Sequence, residues 1–81
     1  MSIEQQVRNF ILESFLFTTD AAALANDDSF LEKGIIDSTG VLEVIFFIEE
    51  TFGIKVEDSE MLPDNLDSID RITNFVTRKK G

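Results

Sequence analysis

The residues best suited to chemistry in this chain are Asp37 and Ser38, inside the run Gly34-Ile35-Ile36-Asp37-Ser38-Thr39. A serine hydroxyl becomes a nucleophile when a neighbouring base takes its proton, and that base is most often histidine. The chain has no histidine and no cysteine. A histidine-based triad, a thiolate zinc site and a disulfide are therefore excluded, and no Gly-rich phosphate loop is present. Carboxylates are plentiful, but they do not form a calcium loop. Placing Gly34 at the sixth position puts Ser29 first, Leu31 third, Lys33 fifth and Gly40 twelfth, where the loop needs oxygen ligands and a closing Glu. Paired carboxylates for glycoside chemistry need a deep cleft, which an 81-residue helical chain is poorly able to enclose. The chain reads as a protein without its own catalytic site and without a metal. From the residues alone, Ser38 is first an ordinary helix N-cap, with Asp37 complementing the positive helix start.

The element that must position Ser38 is a helix over residues 38–52, stopped by Gly53. On its helical wheel Val41, Val44, Ile45, Ile48 and Phe52 share one arc, the expected core face. Leu42 and Phe46 follow Ser38 at i+4 and i+8, off that arc. Glu43, Glu49 and Glu50 flank this stripe, and Phe47 lies opposite the core face. A hydroxyl, two partly exposed apolar residues and an anionic surround at one helix end suit a docking face for a basic partner.

The periodicity predicts three further helical segments. Ile3, Val7, Phe10, Ile11 and Phe15 define a helix over residues 3–15, capped by Ser2. A brief helix is expected over residues 59–62, capped by Asp58 and closed by Pro63. The last helix, residues 68–79, buries Ile69, Ile72, Phe75 and Val76 and ends on basic residues. A long connection, residues 18–37, joins the first two helices, with helical turns expected near residues 21–25 and 29–33. Phe30, Leu31, Ile35 and Ile36 are expected to pin it to the core. The fold class is all-α: a four-helix bundle of three main helices and one short helix, forming a single domain over residues 1–81.

Leu, Ile, Val and Phe supply 29 of the 81 residues, too many for a disordered chain. The net charge is −9. It is concentrated: residues 20–70 hold 14 acidic residues against Lys33 and Lys55, whereas residues 71–81 carry four basic ones. Such a field repels nucleic acid and anionic membranes and attracts proteins with basic patches. No apolar run approaches the ~18 residues of a membrane span, and the N-terminus lacks the pattern of a signal peptide. The expected compartment is the cytoplasm and the expected state a monomer.

With these residues in view, the chain resembles the acyl carrier protein family. The resemblance rests on Asp37-Ser38-Thr39, on its spacing to Glu43, Glu49-Glu50 and Phe52-Gly53 within residues 34–56, and on residues 65–76. It spans nearly the whole chain. It implies that a phosphopantetheinyl transferase moves 4′-phosphopantetheine from coenzyme A onto Ser38. The thiol of that arm would then hold acyl groups as thioesters. It also implies that Thr39, at a position where family members usually carry Leu, belongs to the partner-contact surface. Partners would include an acyl- or aminoacyl-loading ligase and acyl-processing enzymes with basic docking patches. Fatty-acid, polyketide or another specialised biosynthesis is the expected setting, with eight phenylalanines available to fill an acyl pocket. The variant Asp37-Ser38-Thr39-Gly40 looks like stand-alone carriers of specialised pathways, some of which carry aminoacyl groups. An aminoacyl carrier loaded by an amino acid–carrier ligase is therefore the alternative, and an unmodified acidic adaptor is the second.

Overall fold

In the computed structural model, which describes residues 2–80, the first helix α1 (Ile3–Ile11) begins where its cap predicts. The Gln5 N–H donates to Ser2 Oγ at 3.1 Å. The helix does not run on as α-helix to residue 15. It widens into a π turn over Leu12–Leu16 and ends at Phe17, whose backbone is left-handed (φ 54°). A non-glycine residue in that region costs roughly 1–2 kcal/mol. The helical segment thus ends at Phe17, immediately before the long connection.

α2 (Ser38–Phe52) has the expected limits. Gly53, at φ 66°, supplies the left-handed residue that ends it, its N–H donating to the Glu49 carbonyl at 3.0 Å. The short-helix expectation needs correction. Asp58–Glu60 forms only a 3₁₀ turn, capped by Glu57 rather than Asp58, and Pro63 opens α3 (Pro63–Leu66) instead of closing a helix. Proline suits a first helical position because its missing N–H would be unpaired there anyway. α4 (Ile69–Lys80) starts on Ser68, whose Oγ accepts from the Arg71 N–H at 3.1 Å. Among the described residues there is no strand, and no helix is long and apolar enough to cross a membrane.

The core gathers one stripe from each main helix. Val7 and Ile11 meet Val44, Ile45 and Ile48 of α2 and Ile69, Ile72, Phe75 and Val76 of α4. Val41 and Phe52 pack half-buried at its margin. Phe47 departs from expectation. Because α1 flanks that side of α2, Phe47 stacks on Phe10 (centroids 4.1 Å apart, planes 9° apart) and meets Phe52 edge-on. Phe15 in turn meets Phe10 edge-on. Four phenylalanines thus form a row that ties α1 to α2.

The long connection is held at named points. Asp20 caps a 3₁₀ turn over Ala21–Ala23. Arg8 donates to the Leu24 carbonyl and to Asn26 Oδ1, and Asn26 donates to Glu4 Oε1. Phe30 and Ile36 are buried as expected and Ile35 packs on the core, but Leu31 stays 48% exposed. Asp67, between α3 and α4, fastens this stretch. Its carboxylate accepts from Ser29 Oγ and from the Leu31 N–H (2.9 Å), and its carbonyl accepts from the Phe30 N–H (2.9 Å). After α2, Lys79 and the Glu57 N–H hold the Glu60 carboxyl below the ordinary carboxylate range.

Candidate functional site

The long loop delivers the chain to α2 at Asp37, and the cap there is Asp37 rather than Ser38. Asp37 is extended (φ −99°, ψ −173°), and its Oδ1 accepts from the Gly40 N–H at 2.8 Å. Both residues are capable caps. The aspartate takes the role because its carboxylate also meets the positive end of the helix. Ser38 is thereby the first residue of the helix, exposed, and its hydroxyl has no hydrogen-bond partner among the described residues. Thr39 is exposed beside it. Among the described residues no carboxylate or other base is hydrogen-bonded to the Ser38 oxygen. The N–H groups of the first turn favour an anion at this oxygen, although the Asp37 carboxylate already occupies part of that field.

Gly40 has a packing role. A Cβ there would lie 2.9 Å from Ile36 Cγ2 and 3.0 Å from Phe15 Cε1. The absent side chain lets the end of the first helical segment and the loop close onto the first turn of α2.

Beside Ser38 opens a largely apolar groove of about 260 Å³. Ile36, Val41 and Val44 line it together with Met61, Leu62 and Pro63. Of the eight phenylalanines only Phe30 lines it. The expectation that phenylalanines fill such a pocket is corrected, because four of them are engaged in the row between α1 and α2. The groove residues carry no recognisable signal in the sequence, since tertiary packing brings them together across three segments. An exposed hydroxyl beside an apolar groove, on a capped helix start, fits a covalently attached flexible group.

Further along α2, Leu42 (61% exposed) and Phe46 (65%) form the exposed stripe. With Phe10, Phe47 and Thr51 they line a shallow depression rimmed by Glu43 and Glu50. Glu49 faces elsewhere: half-buried, its Oε2 accepts from the Val56 N–H at 2.9 Å and fixes the link after α2.

Among the described residues no group of three or more carboxylates is placed to hold a metal ion. The acidic field should therefore respond to ions only through screening. Mg²⁺ and Ca²⁺ should raise the melting temperature alike, and each more than Na⁺ at equal concentration. A steep, saturable response to Ca²⁺ alone in heating scans would contradict this.

No family model matches the chain. Its relatives are nonetheless informative. It is 37% identical over 78 residues to proteins named D-alanyl carrier protein from Streptococcus pyogenes serotype M5 (strain Manfredo), serotype M49 (strain NZ131) and serotype M1. The alignment covers 94% of this chain and 92% of each relative. That match, end to end across an all-helical chain with an exposed serine opening its second helix, places the chain in the carrier protein family to which the D-alanyl carrier proteins belong.

Proposed function

We propose that this chain is an aminoacyl carrier protein whose Ser38 receives a 4′-phosphopantetheine arm from coenzyme A. When attached, the arm supplies the thiol that a chain without cysteine lacks, and with it the thioester chemistry. The chain's own residues do the positioning. Asp37 holds the first turn of α2 through Gly40, and Gly40 admits Phe15 and Ile36 against that turn. Ser38 presents Oγ to the solvent, where a transferase supplies the base. The observation that carries the reading is the exposed Ser38 at the start of α2, in a chain 37% identical to D-alanyl carrier proteins.

The relatives' printed name gives the first candidate cargo, D-alanine, and supports an aminoacyl role over the fatty-acid setting expected from the sequence. Partners would be a phosphopantetheinyl transferase and an amino acid–carrier ligase, acting on a monomer in the cytoplasm, where coenzyme A and ATP are drawn on. A fatty-acyl cargo is the second reading, favoured by the apolar groove beside Ser38. The test is to give the phosphopantetheinylated protein ATP, D-alanine and a D-alanine–carrier ligase, and in parallel a fatty acid and an acyl-carrier synthetase. A hydroxylamine-labile mass gain from D-alanine alone supports the aminoacyl reading. A gain from the fatty acid alone replaces it with the second.

Docking on this reading is transient and charge-steered. Reversing Glu43 and Glu50 to Lys should lower kcat/KM for Ser38 modification by a basic transferase by about ten-fold at low salt. The wild-type rate should fall as salt is added. Glu49→Gln should act mainly on stability, through the Val56 N–H contact. A modification rate indifferent to charge reversal and to salt would count against steering.

A further inference from the structure

Of the residues that line the groove beside Ser38, only Ser38 itself and Asp67 carry polar side chains. Asp67 is thus the one ionisable residue of an otherwise apolar lining. Its carboxylate is fixed in place: Oδ1 accepts from the Leu31 N–H at 2.9 Å and Oδ2 from Ser29 Oγ. A carboxylate offers about four acceptor positions, so both oxygens can take a further donor. Among the described residues no cation is paired with it. The cations of the adjoining segments are engaged elsewhere, Arg71 of α4 with Asp64 of α3 and Lys33 of the loop with Asp28. The other charged residues there, Asp27 and Glu32 on the loop and Asp70 on α4, add only negative charge. An apolar groove with one fixed carboxylate matches a ligand with an apolar body and a single cationic group. A wholly apolar ligand would strip water from that carboxylate and give nothing back.

We propose that this groove receives the aminoacyl end of the arm on Ser38, and that Asp67 accepts the α-ammonium of the amino acid. The proposal rests on the aminoacyl-carrier reading and names the residue that recognises the cargo. Val41, Val44, Met61 and Leu62 supply the apolar lining for the uncharged part of the arm. The ammonium donates to the Asp67 carboxylate, and such a charge-assisted bond is about twice as strong as a neutral one. An acyl end without an amine makes no such bond. Asp67 therefore biases the groove toward amino acids.

In the experiment a broad-specificity phosphopantetheinyl transferase loads Ser38 with an arm bearing D-alanine, joined by an amide so that it does not hydrolyse. A second sample carries the propionyl analogue, which lacks the ammonium. NMR follows the titration of the ammonium and the methyl signals of Val41, Val44 and Leu62. The titration midpoint should lie about one pH unit higher on wild type than on Asp67→Asn, because a nearby carboxylate favours the charged form. Asparagine keeps an acceptor for the Leu31 N–H and a donor for Ser29 Oγ, so the melting temperature should stay close to wild type. Asp27→Asn removes an exposed carboxylate outside the groove and should leave the midpoint near the wild-type value. On wild type alone, the groove methyls should shift more with alanyl than with propionyl. Equal midpoints on wild type and Asp67→Asn overturn the proposal, and so do equal methyl shifts with the two groups. A Ser38 that takes no arm, while a control carrier does, removes the carrier reading and this proposal with it. A chain that a ligase charges with D-alanine but that shows neither difference loses this proposal alone.

Discussion

Replacing Ser38 by alanine should abolish attachment of phosphopantetheine and leave the fold untouched. Ser38 opens α2 but does not cap it, so no capping bond is lost. Its hydroxyl is exposed and without a partner among the described residues, and alanine is the better helix former by a few tenths of a kcal/mol. Circular dichroism and the melting temperature should match wild type or lie slightly above it. Asp37→Ala is the complementary variant. It removes the bond to the Gly40 N–H at a cost of about 1 kcal/mol, which lowers the melting temperature by roughly 4–8 °C for a domain of this size. It leaves the Ser38 oxygen in place, so loading should persist. Loss of loading without loss of stability in one variant, and the reverse in its neighbour, would separate the attachment site from its support. Normal loading of Ser38→Ala would refute the assignment.

Gly40→Val should be the most damaging single change near the site. Even a Cβ would meet Ile36 Cγ2 at 2.9 Å and Phe15 Cε1 at 3.0 Å. Ile36 is a buried β-branched residue with little room to turn, and the Phe15 ring is engaged with Phe10. Two further methyl groups must displace the first turn of α2 from both. Overpacking of this kind costs about 2 kcal/mol, a melting-temperature drop on the order of 10 °C. Loading should slow as well, because the displaced turn is the one that presents Ser38. In Gly40→Ala the same contacts are opposed by the ~1 kcal/mol that alanine gains over glycine in a helix. Its net effect should be small. Equal stability of the valine and alanine variants would contradict the close approach.

The contrast between what was legible in the sequence and what was not follows from the range of the interactions. The limits of α2 are local, set by capping residues at one end and Gly53 at the other. The stripe of α4 is a pattern of period 3.6, and all four of its expected residues are buried. Leu42 and Phe46 were legible as exposed for the same reason. Assigning the cap to Asp37 instead of Ser38 is a shift of one residue between two suitable side chains, which only backbone geometry resolves. Pro63 suits a helix start as well as a stop, so its role in α3 depends on the turn before it. The π turn, the aromatic row that claims Phe47 and the groove beside Ser38 depend on packing between segments distant in the chain. Asp67 is the clearest case. It stands beside the start of α4, yet its carboxylate fastens a loop 36 to 38 residues away.

The central claim is that Ser38 is an attachment point, and the most direct test is the intact mass of the protein after incubation with coenzyme A and a broad-specificity phosphopantetheinyl transferase. The expected result is a gain of one phosphopantetheine, located on the peptide containing Ser38 and absent from Ser38→Ala. An unchanged mass, under conditions that fully modify a control carrier, would contradict the claim and leave the chain an acidic adaptor with an ordinary helix start.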